Sequence, residues 1–69
     1  MQTSESFAGS DGKKGVIITS QSGTRVCLDW YAYDNMGRLV TGGDGPSFSA
    51  EELPAKYEAV KAQCLKAIA

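Results

Sequence analysis

The sequence predicts an α+β domain: a three-stranded antiparallel meander packed on one face by a C-terminal helix, in the order β-β-β-α. Three observations predict it. Residues 25–33 alternate between two contrasting side-chain sets. Asp34-Asn35-Met36-Gly37 spells a tight turn between two strands. From Leu53 onward, apolar residues recur at helical spacing.

The elements follow in chain order. Residues 1–12 are polar apart from Met1, Phe7 and Ala8. So little apolar surface is not expected to offset the entropy of ordering, so this stretch reads as a disordered tail and residues 13–69 as one small domain. Val16–Ser20 is short and β-branched, the mark of a strand. Gln21, Ser22 and Gly23 make a turn, and Thr24–Tyr33 is the strongest strand signal in the chain. Asp34 at the first turn position and Gly37 at the fourth predict a type I turn with glycine in the left-handed position. Arg38–Thr41 is the third strand, and Gly42–Pro46 is expected to break the sheet.

A strong helix start comes next. Ser49 and Glu52 have capping-box spacing, while Phe48 and Leu53 have that of a hydrophobic staple. Pro54 leaves two readings: one helix from Ala50 with a loosened first turn, or a short turn and then a helix from Pro54. The second is favoured, because proline suits a first helical position. Leu53, Tyr57, Val60, Cys64 and Ile68 form the apolar stripe. Val26, Leu28, Trp30 and Ala32 are the matching sheet face, with Trp30 expected to be buried between sheet and helix, near Tyr57, Val60 or Cys64. Arg25, Cys27, Asp29, Tyr31 and Tyr33 point the other way, and no further layer is expected to cover them.

Size and composition narrow the function. A chain of 69 residues that starts at Met1 reads as a complete small open reading frame with room for one domain. A domain this small buries only about 60% of its unfolded surface and needs extra support. Two cysteines, Cys27 and Cys64, are too few for a disulfide scaffold, and alternation puts them on opposite sides of the sheet. With no signal-peptide pattern and no apolar run long enough to span a membrane, the expected location is the cytoplasm, with reduced thiols. No cofactor is expected, and the absence of histidine argues against a metal. Oligomerisation or docking on a larger protein remains as support. Seven basic and eight acidic residues give a net charge of −1, without the basic excess of a nucleic-acid binder.

Catalysis has little to build on. Histidine, the commonest general base, is missing, and neither thiol has a base partner in the pattern. Cys64 reads as a small core residue on the helical stripe. The glycine-rich loop Gly42-Gly43-Asp44-Gly45 lacks the dinucleotide fingerprint and the Lys-Ser/Thr of a phosphate loop, and so reads as a connection. Asp29, Asp34 and Asp44 lack calcium-loop spacing. Lys13, Lys14, Arg25 and Arg38 are expected near one another, because Arg25 and Arg38 begin neighbouring strands. With Tyr31 and Tyr33 they form a candidate nucleic-acid surface, set against plain solvated charge. Tyr31 and Tyr33 also suit a protein interface, since tyrosine joins apolar area to a polar tip.

This layout resembles small phage or mobile-element accessory proteins, among them anti-CRISPR proteins. The resemblance implies a stoichiometric inhibitor or modulator of a host machine, acting in the host cytoplasm. The stretch Gly37–Asp44 running into a helix is also similar to antitoxin domains of the HicB type, although their separate DNA-binding segment is not seen here. The expected function is therefore non-catalytic protein binding, to a host complex, to a second copy as a homodimer, or to both. A small nucleic-acid-binding regulator is the alternative. The expected contact residues are Arg25, Cys27, Asp29, Tyr31, Tyr33 and Arg38.

Overall fold

The computed structural model describes residues Met1–Ala69. Five strands and one α-helix follow in order: β1 (Gln2–Ala8), β2 (Lys14–Ser22), β3 (Arg25–Tyr33), β4 (Leu39–Asp44), β5 (Phe48–Ser49) and α1 (Leu53–Ala67). Short 3-10 turns at Ser10–Gly12 and Ala50–Glu52 precede β2 and α1. The sheet is an antiparallel meander ordered β1-β2-β3-β4, with β5 pairing Arg25 and Val26 of β3. The expected α+β fold with a C-terminal helix on the sheet is present, with one strand more in the meander than the sequence suggested.

That strand is β1, in the stretch read as a disordered tail. Its seven residues pair with β2 from Gln2↔Ser20 to Ala8↔Lys14 without a break in register. Backbone pairing, which a polar composition does not reveal, holds it in place. Two side-chain contacts tie it to α1. The Tyr57 hydroxyl donates to the Glu5 carboxylate, and the Lys61 ammonium sits 5.5 Å from the centre of the Phe7 ring.

The β3–β4 turn forms as predicted. Gly37 has φ 80°, and its N–H donates to the Asp34 carbonyl. The Asp34 carboxylate accepts from the N–H groups of Met36 and Arg38 and pairs with the Arg38 guanidinium at 3.1 Å. β4 runs further than expected, because Gly42, Gly43 and Asp44 continue the ladder opposite Tyr31, Trp30 and Asp29. Glycine is disfavoured in strands, yet here the Trp30 side chain occupies the space above Gly43. A Cβ at Gly43 would lie 2.8 Å from the indole nitrogen. A bulge between Ala32 and Tyr33 leaves Leu39 and Val40 exposed on this edge.

The Ser49–Glu52 capping box is made, and Pro54 falls in the first turn of α1, which begins one residue before it at Leu53. The helix lies over β2 and β3. Ile17, Val26, Leu28, Phe48 and Cys64 are the buried cluster, with Trp30, Leu53, Tyr57 and Val60 packed around it. Ile68 is sealed as well, at 1% exposure. Each fully buried aliphatic side chain contributes roughly 1.5–3 kcal/mol. Trp30 is on the expected face and beside Val60, but it is only half-buried because it also lines a groove at the edge of the helix.

Candidate functional site

Alternation fixes what the uncovered side of the sheet displays. Pairing arranges its residues in rows across the strands. Ala8, Lys14, Tyr33 and Leu39 form the first row; Ser6, Val16, Tyr31 and Gly42 the second. Ser4, Ile18, Asp29 and Asp44 form the third, and Gln2, Ser20 and Cys27 the fourth. Val16, Ile18, Tyr31, Tyr33 and Cys27 are half-buried by their neighbours alone, while Leu39 is 60% exposed. No element of the chain covers them. The result is an apolar and aromatic centre on β2 and β3, rimmed by the hydroxyls and amides of β1.

Of the six expected contact residues, Cys27, Asp29, Tyr31 and Tyr33 share this face, and Arg25 follows them by alternation at its end. Arg25 and Arg38 do not come together as expected. Antiparallel pairing sends the starts of neighbouring strands to opposite ends of the sheet. Arg25 lies beside Ser22 and Ser49, with its guanidinium bonded to the carbonyl and hydroxyl of Ser47. Arg38 lies at the far end, against Asp34. Lys14, opposite Tyr33, belongs to the Arg38 end. The expected basic cluster is therefore divided.

Sequence reasoning missed Val16 and Ile18. The run Val16-Ile17-Ile18 is apolar on both faces, so its period carries no sign of which residues face the helix. Ile17 faces the helix side at 1% exposure, and its two neighbours join the open face. Asp44 was also missed, because it was placed in a loop. As a strand residue it stands directly opposite Asp29. Like charges in that position repel, and neither carboxylate has an ion-pair partner within the chain, whose one salt bridge is Arg38–Asp34.

Both cysteines are free. Cys64 is wholly buried beneath the helix, and desolvation pushes its thiol up from the ordinary value. Cys27 is on the opposite side of the sheet, beside Ser20. No group of three or more acidic, cysteine or histidine side chains converges as a metal site would require, and no helix is long and apolar enough to cross a membrane. A concavity follows the seam between sheet and helix, lined by Leu28, Trp30, Pro46, Phe48 and Val60 with Asp44 and Lys56 at its rim. No known protein family, curated protein or solved structure matches the chain.

Proposed function

We propose that this chain is a non-catalytic protein-binding module that docks through the open face of its sheet, as a cytoplasmic phage-type inhibitor or modulator of a larger host assembly would. One observation carries the reading: Val16, Ile18, Tyr31 and Tyr33 form an apolar, aromatic centre that no element of the chain covers. Contiguous apolar surface with a polar rim is characteristic of interaction sites. The non-catalytic part rests on chemistry. The chain has no histidine, and Cys64, the more deeply placed thiol, is held protonated by burial. The nucleic-acid alternative loses its main support with the separation of Arg25 from Arg38.

The test compares affinity capture by the wild type, by Tyr31→Asp and by the helix-surface variant Glu58→Lys, all confirmed folded by circular dichroism. A specific protein should be recovered by wild type and Glu58→Lys and lost with Tyr31→Asp. Equal recovery by all three would overturn the docking face.

A further inference from the structure

The open face is self-complementary in charge, and we infer that it pairs face to face with a second copy of this chain about a two-fold axis running across the strands at the Val16–Tyr31 row. The inference rests on the docking-face reading above and names the partner. The face is electrically lopsided along the strand direction. Its first row carries Lys14, and its third carries Asp29 and Asp44 side by side. The cation and the carboxylates are two rows apart, about 13 Å along the strands, too far to pair within one copy.

With the strands of the two copies aligned, as in most stacked sheets, a two-fold axis in the interface can run in two directions. An axis parallel to the strands lays each row on itself, so that four carboxylates would meet across the interface, which is strongly repulsive. An axis across the strands reverses the rows. With that axis at Val16–Tyr31, the first row of each copy lies over the third row of the other. Lys14 then comes within one strand spacing, about 5 Å sideways, of the partner's Asp29. The hydroxyl of Tyr33 stands over the same carboxylate as a donor. Each contact occurs twice, as an isologous interface demands. Val16 and Tyr31 sit on the axis and interdigitate at the usual sheet-to-sheet distance of about 10 Å.

The overlap is small. With the axis at the second row, the first three rows of each copy overlie one another, about 20 Å of strand, and four strands span about 19 Å. The footprint is therefore about 400 Å² per copy and about 800 Å² for the pair, the size of a weak, transient contact. The dimer is accordingly expected to be weak and concentration-dependent, with a dissociation constant on the order of hundreds of micromolar.

Sedimentation equilibrium of the full chain, up to about 1 mM, tests this. Wild type should move from monomer to dimer across the series. Lys14→Glu and Asp29→Lys should each weaken the dimer by roughly tenfold or more, and the double reversal Lys14→Glu/Asp29→Lys should restore it to within a few-fold. Tyr31→Ser, at the axis, should also weaken it. A wild type monomeric throughout overturns the inference, as does a dimer indifferent to all four variants or a double reversal that fails to restore. If the chain stays monomeric while Tyr31→Asp still abolishes capture of another protein, the docking face stands and only the second copy is wrong. If capture is also indifferent to Tyr31→Asp, both readings fail.

Discussion

Replacing Gly15 by alanine tests the packing of the helix on the sheet. Gly15 is buried on β2, opposite Ala32 and Phe7. A Cβ there would stand 2.5 Å from the Cys64 sulfur and 3.1 Å from the Ile68 side chain. Both neighbours are fully buried, at 0% and 1% exposure, so neither can swing aside. Its backbone is not in the left-handed region, so the effect of the substitution is steric. An inserted methyl in a filled core costs roughly 1–3 kcal/mol, partly offset by the roughly 0.4–1 kcal/mol that alanine gains over glycine through the unfolded chain. At 69 residues, total stability is roughly 3–10 kcal/mol. A net loss of about 1–2 kcal/mol should lower the melting temperature by roughly 5–15 °C. Cys64→Ala removes the clashing sulfur, so Gly15→Ala/Cys64→Ala should be more stable than the sum of the single effects predicts, by about 1 kcal/mol or more. Thermal and urea melts of the four proteins in the cycle measure this. If Gly15→Ala melts with the wild type, or the two changes simply add, the helix does not sit on β2 as described.

Three further outcomes are expected. In the native protein a thiol reagent should modify Cys27 quickly and Cys64 only after unfolding, and both should be modified without prior reduction, as mass spectrometry of the alkylated chain will show. Tyr57 has its hydroxyl pushed up to about 12, first by burial and then by its bond to Glu5. Its folded value is above the unfolded one near 10, so the stability it confers is complete below pH 10 and disappears as pH rises toward 12. Ultraviolet titration should show one tyrosine ionising last, and Tyr57→Phe should abolish that late step. Amide exchange across residues 2–8 should show protection at the alternating positions that donate to β2, whereas a disordered tail would exchange at once.

The helix was legible because its signals are local. Ser49 with Glu52, Phe48 with Leu53, and the stripe from Leu53 to Ile68 lie within one stretch of chain, and the 3-10 turn they cap, Ala50–Glu52, runs into α1 at Leu53, one residue before the favoured start at Pro54. β3 was legible because its two faces differ in chemistry, which also revealed Cys27, Asp29, Tyr31 and Tyr33 as companions. β1 was not, because its stability comes from a ladder with β2 and from Glu5 reaching Tyr57 across more than fifty residues. The end of β4 was hidden for a related reason. Glycines that look like a break are accommodated by the Trp30 side chain, which comes from another strand. Arg25 and Arg38 were misplaced by counting strand starts while overlooking that antiparallel neighbours run head to tail.

The close seating of Cys64 and Ile68 on Gly15 has a kinetic side. The hairpins of the meander join residues near in sequence and carry small loop-closure entropies. The contact between β2 and the last turns of α1 spans most of the chain and carries a larger one. The sheet is thus free to assemble before its helix arrives, and in that interval Ile17, Val26 and Leu28 are as exposed as Val16 and Tyr31 on the opposite side. For that time the protein is a ribbon with two greasy surfaces and two unpaired edges, the form most apt to stick to its own kind. Crowding on the way to the native state, more than fragility once there, would then set how much of this protein a cell can hold.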